Sequence, residues 1–93
     1  VWSAMGSITE EIFDETFNTN VKGVLFNVQK ALPILVEGAS IILMGSVSGF
    51  KAAPNGSVYS ASTAALRSFG RCWALDLKDR KIRVNTLSPG PID

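Results

Sequence analysis

Apolar residues in the first third of the chain recur at steps of three and four: Ile12, Phe13, Phe17, Val21, Val24, Leu25, Val28, Leu32 and Leu35. Such spacing forms one face of an amphipathic helix and predicts a helix over about residues 10–36. Thr9 is placed to cap the first free backbone N–H groups, or Ser7 and Glu10 to form a capping box. Glu10, Glu11, Asp14 and Glu15 favour the positive end of the helix dipole. In the middle, Asn18, Thr19, Asn20 and Gly23 are poor helix formers. The cluster marks either a weak spot or a place where a backbone carbonyl is wanted elsewhere. Glu37 and Gly38 end the helix, the glycine supplying a left-handed turn.

The pattern then changes. Ile41, Ile42, Leu43 and Met44 form a continuous apolar run, which suits a strand buried on both faces of a parallel sheet. Residues 45–56 are rich in Gly, Ser, Ala and Pro and read as a loop. Ser57 is the expected cap of a second helix over about residues 58–78, where Ala61, Ala64 and Ala65 permit close packing. Asp79, Arg80 and Lys81 make a polar turn, and residues 82–87, IRVNTL, read as a second strand ending at Ser88-Pro89-Gly90-Pro91.

The order helix, strand, helix, strand implies an α/β parallel sheet with the second helix as a right-handed crossover. Both helices are then expected on one face of the sheet. Strands apolar on both sides with cover for only one side imply a complete domain larger than these residues. Ligands in such sheets bind beyond the carboxyl ends of the strands, which points to Gly45-Ser46 and Ser88-Pro89-Gly90.

Composition narrows the function classes. With 93 residues, 46% hydrophobic and 18% charged, the chain is ordinary globular material and holds one small domain at most. Nine Lys and Arg against eight Asp and Glu leave a net charge of +1, and no basic run is interleaved with aromatics, so nucleic acid is not an expected partner. The chain has no His, which excludes His-containing metal sites and His-dependent triads, and no metal is expected. The longest apolar stretch, residues 21–36, is interrupted by Lys22, Lys30 and Pro33 and is too short to span a bilayer. With no signal peptide visible and Val1 at the start, the expectation is a piece of a soluble cytoplasmic protein with no membrane partner.

Candidate chemistry gathers around the loop. A hydroxyl at Ser46 and a phenol at Tyr59, the only tyrosine, brought to one sheet edge, could work on a carbonyl or an alcohol. Read alone, Ser46 and Ser48 also suit turn chemistry, and Tyr59 also suits packing on the core. A serine-hydrolase elbow fails, because Gly45-Ser46-Val47-Ser48-Gly49 has Val47 at its centre. Cys72, mid-helix beside Trp73 and Leu75, reads as a buried inert thiol. Trp2, Phe13, Phe17, Phe26, Phe50 and Phe69 read as core or interface.

Taken together, Asn20 in NVKG, then IILMGSVSG, then Tyr59 in YSAST thirteen residues after Ser46, then RVNTLSPGPID closely resemble the back half of the classical short-chain dehydrogenase/reductase family. The similarity spans essentially the whole chain. It implies an α/β fold, part of a doubly wound parallel-sheet Rossmann-type domain, with residues 1–93 belonging to a single NAD(P)-binding domain. It also implies hydride transfer between a nicotinamide cofactor, NAD or NADP with NADP favoured, and a small-molecule carbonyl or alcohol. By the same resemblance, Tyr59 exchanges a proton with the substrate oxygen and Ser46 hydrogen-bonds that oxygen. Asn20 presents its backbone carbonyl to a water in the proton relay. Tyr59, Pro89, Gly90 and Ile92 match cofactor-contacting positions, and Asn85 matches a residue that braces the site. Family members of this kind assemble as homodimers or homotetramers through the two long helices.

Two departures stand out. The family's Gly-rich phosphate-binding turn would lie before Val1, and the chain stops at Asp93, short of the substrate-covering region. The piece alone is therefore expected to be inactive. Inside the motif, Thr63 stands where the family has Lys, four residues after the tyrosine and on the same helix face. A cation there holds the ribose hydroxyls and favours phenolate, so its loss is expected to cost about 10²- to 10⁴-fold in rate. Lys51 is a conceivable substitute from the loop. The alternative is a catalytically silent relative that keeps the fold for oligomer assembly.

Overall fold

The computed structural model describes residues 3–45 and 55–87. Ser46, Ser48, Lys51, Pro89, Gly90 and Ile92, together with Trp2 and Phe50, lie outside the described residues.

Thr9 opens the first helix, α1 (Glu10–Phe17), from an extended backbone, and its Oγ1 accepts the Ile12 N–H at 3.1 Å. Of the two capping schemes the sequence allowed, this is the Thr9 one. The expected single helix over 10–36 is not continuous. A π-helical turn occupies Asn18–Lys22, α2 runs Gly23–Ala31, and a 3-10 turn, Leu32–Ile34, closes it before Leu35 becomes extended. The break follows the poor helix formers named above. The end follows Pro33, which has no N–H to continue the ladder. Gly38 has φ +84° and donates its N–H to the Arg80 carbonyl at 3.2 Å, which makes it the left-handed turn into the sheet.

Strand β1 (Ser40–Met44) lies parallel to β2 (Arg83–Leu87), with Ser40 opposite Arg83 and Met44 opposite Leu87. Pairing continues past both ends: Arg83 N–H donates to Ala39 O at 3.0 Å and Gly45 N–H to Leu87 O at 2.6 Å. Between the strands runs α3 (Ser57–Asp76). Its N-cap is Gly56, with no side-chain cap bond, so Ser57 is the first helical residue rather than the cap. A 3-10 turn, Lys78–Arg80, and left-handed Lys81 lead into β2.

Helix α3 is the central layer. It packs on β2 and β1 and receives α1 and the π-turn on its flank. Its buried residues, Ser62, Thr63, Leu66 and Gly70, follow a helical spacing. With Leu43, Ile82 and Val84 on the strand side, Leu66 makes the buried apolar core, each such side chain stabilising by about 1.5–3 kcal/mol. Gly70 faces Thr86, and a Cβ at that position would collide with Thr86 Oγ1.

Among the described residues only one face of the sheet is covered. Leu43 is 4% exposed, whereas Ile42 and Met44 are 58% and 59% exposed and Leu87 53%. This one-sided cover is what the order of elements predicts: side chains alternate across a strand, and α3 lies on one side. Phe13 and Phe26 are also exposed, and of the α1–α2 segment only Thr16 is buried. Cys72 is exposed, not the buried thiol expected. It falls about 200° around the helix from Gly70, beside Leu75 on the outer face. Among the described residues no helix is long and apolar enough to cross a membrane.

Candidate active site

Because β1 and β2 are parallel and in register, they end together at Met44 and Leu87. Tyr59 sits in the first turn of α3, which follows the chain leaving β1. Asn20 sits at the middle of the π-turn. The two line one open cleft of about 210 Å³ together with Glu15, Thr16 and Thr19. A π-turn inserts one residue into the helical ladder and shifts the carbonyls out of their usual pairing. Gly23 completes it: its N–H donates to the Asn18 carbonyl, and a Cβ there would lie 3.1 Å from that oxygen, tighter than ordinary contact.

A hydrogen-bond chain joins these two segments. Asn20 Nδ2 donates to Ser62 Oγ at 3.2 Å, and Ser62 Oγ donates to the Tyr59 backbone carbonyl at 2.7 Å. Ser62 is 0% exposed and escaped the sequence reading. A small hydroxyl three residues after Tyr59, hence on the same helix face, was the signal that could have found it.

Thr63 is 3% exposed, and its hydroxyl donates to the Ser60 carbonyl at 3.0 Å, so it is directed along its own helix and does not line the cleft. Asn85 lies on the exposed side of β2 and lines a different recess, with Arg67, Gly70, Arg71 and Thr86. Of the sequence-predicted site residues, the structure therefore brings Asn20 and Tyr59 together. Ser46, Pro89, Gly90 and Ile92 are outside the described residues.

A family model described as Enoyl-(Acyl carrier protein) reductase matches residues 3–93. The chain is 51% identical over 90 residues to an oxidoreductase, asL5, of Sarocladium schorii, covering 95% of this chain and 36% of that protein. It is 44% identical over 86 residues to a tetrahydroxynaphthalene reductase of Pyricularia oryzae, covering 91% of this chain and 30% of that one. The chain thus spans about a third of the length of the curated relatives it matches. Among solved structures, the landomycin C-6 ketoreductase LanV with bound NADP and rabelomycin superposes with a TM-score of 0.91 at 32% identity, over 95% of this chain and 36% of that one.

Proposed function

The chain belongs to the short-chain dehydrogenase/reductase family and has its Rossmann-type α/β fold, and we propose that it serves nicotinamide-dependent hydride transfer between a carbonyl and an alcohol. The observation that carries this reading is the shared cleft, lined by Tyr59 of α3 and by the π-turn of the neighbouring helix. The uncovered sheet face at Ile42, Met44 and Leu87 supports a place within a larger doubly wound domain.

The described residues fit the reacting end of a nicotinamide cofactor in one respect and not in another. The cleft is open, lined by residues with hydroxyl, carboxamide and carboxylate groups, and lies at the first turn of α3. Position 63 does not fit, since Thr63 carries no charge and spends its hydroxyl on Ser60. When bound, the cofactor supplies or accepts the hydride, and Tyr59, Pro89, Gly90 and Ile92 would hold it.

The chain's own residues handle the proton. Tyr59 gives its phenolic proton to the carbonyl oxygen in reduction and takes one from the alcohol in oxidation. Ser46 hydrogen-bonds the same oxygen and orients it. The Asn20 backbone carbonyl, within the π-turn, accepts a hydrogen bond from the water that replenishes Tyr59.

For substrate, we favour a polyhydroxylated aromatic ketone, and for cofactor NADP. The support is the tetrahydroxynaphthalene reductase at 44% identity and the NADP-bound ketoreductase at 32%. Assembly as a dimer or tetramer through α2 and α3 is part of the same reading, supported by an apolar recess between them at Leu25, Val28, Leu32, Trp73 and Leu77. The buried, neutral Thr63 favours a second reading, a silent scaffold, which the enzymatic names of the relatives support less well.

The test is the complete protein with NADPH or NADH over a panel of hydroxylated aromatic ketones, followed by nicotinamide absorbance and by calorimetry. Ketone-dependent oxidation is expected. Absence of any cofactor binding overturns the proposal, and binding without turnover favours the scaffold.

A further inference from the structure

We infer that Ser62 is a positioning residue: its buried hydroxyl locks the Asn20 carboxamide and ties the π-turn to the helical turn that carries Tyr59. The catalytic part of this inference rests on the function proposed above. The hydroxyl has one hydrogen, and the 2.7 Å bond to the Tyr59 carbonyl uses it. Toward Asn20 the oxygen can then only accept. Asn20 must present Nδ2 to it, which turns its Oδ1 elsewhere and fixes the orientation of the amide.

A serine bonding back to the carbonyl three residues earlier does little for a helix by itself. Thr63 does the same with Ser60 and makes its bond within one helix. Ser62 differs in that its remaining acceptor capacity is used by a residue 42 positions away. At 0% exposure the Ser62 oxygen is closed to solvent, so the half-buried Asn20 is its remaining partner besides the Tyr59 carbonyl. The π-turn is a departure from the α-helical ladder and needs outside contacts to hold it. Ser62 supplies one at its centre.

The test compares Ser62→Ala, Asn20→Leu and the double variant in the complete protein, by hydrogen exchange and by steady-state kinetics. A leucine neither donates to nor accepts from Ser62 Oγ, so both single changes break the same bond. Exchange of the amides at Asn18–Lys22 is expected to quicken by about tenfold in either single variant, from loss of the hydrogen bond that ties the π-turn to α3. The β1 and β2 amides stay unchanged, and the double variant is no faster than the singles. In kinetics, kcat falls by a similar factor while KM moves less than about twofold. Ser62→Cys, which keeps the volume and a weak donor, restores part of both and stands in where Ser62→Ala does not fold.

Unchanged exchange at the π-turn, equal acceleration throughout the chain, or additive effects overturn the inference. So does altered exchange with unaltered kcat. Should the unmodified protein show no turnover, the function proposed above fails while the exchange comparison still decides the lock.

Discussion

Gly70 of α3 approaches Thr86 of β2 so closely that a β-carbon on the glycine would overlap the threonine hydroxyl. The helix can lie this near the sheet only because one side chain is missing. Gly70→Ala gains about 1 kcal/mol in helix propensity and loses about 1–3 kcal/mol to overpacking, so net destabilisation is expected in denaturant titrations of the complete protein. In a Thr86→Ala background the new β-carbon meets Leu43 Cδ1 and the residue 86 β-carbon at an ordinary 3.8 Å. There the same substitution is expected to be neutral or stabilising, and an equal cost in both backgrounds would refute the contact.

Arg80 anchors the end of α2 from a distance. Its Nη2 donates to the Leu32 carbonyl at 3.0 Å, which also accepts the Leu35 N–H, and to the Leu35 carbonyl at 2.7 Å. Arg80→Ala is expected to cost about 1.5–3 kcal/mol, as charged hydrogen bonds do. The nearby Lys81–Glu37 pair, at 3.8 Å with side chains 76% and 69% exposed, is screened by water. Glu37→Ala should therefore change the melting temperature little, and a loss as large as that for Arg80→Ala would contradict this ranking.

Ser60 Oγ is buried and finds no hydrogen-bond partner among the described residues. Ser60→Ala removes an unsatisfied hydroxyl and adds helix propensity, so a stabilisation of about 0.5–1 kcal/mol is expected. Equilibrium unfolding would show it, and a clear destabilisation would reveal a partner from another part of the protein.

Tyr59→Phe keeps the ring and deletes the phenol. Turnover is expected to fall by about 10²- to 10⁴-fold, as for loss of a positioned acid–base group, with the fold retained. Retained turnover in this variant would remove Tyr59 from the chemistry.

Thr63→Lys restores a cation one helical turn beyond Tyr59. If the neutral residue limits the rate, the variant should turn over about 10²-fold faster or more, with tighter cofactor binding in calorimetry. Unchanged kinetics would mean that position 63 is not what governs the phenol.

Much of the fold was legible locally, because caps, periodicity and breakers act over a few residues. Thr9 capped its helix, Gly38 turned left-handed, and the helix-strand-helix-strand order appeared with small shifts at the ends. Asn18, Thr19, Asn20 and Gly23 announced an irregular helix centre, although propensity alone could not tell a π-turn from a simple weak spot. Ser57 misled because a serine beside a helix start resembles a cap even where Gly56 takes that position.

By itself the sequence determined the order of the main helices and strands and the meeting of parallel strand ends, which follow from spacing along one chain, and its motifs carried the resemblance to the family. Tertiary structure alone decided which strand face is covered, that Cys72 points outward, that Thr63 turns its hydroxyl to Ser60, and that Ser62 joins Asn20 to the turn bearing Tyr59. These depend on how α3 is rotated and how near it sits to the sheet and the π-turn. That placement is set by packing between residues far apart in the chain, on which local propensity has no purchase.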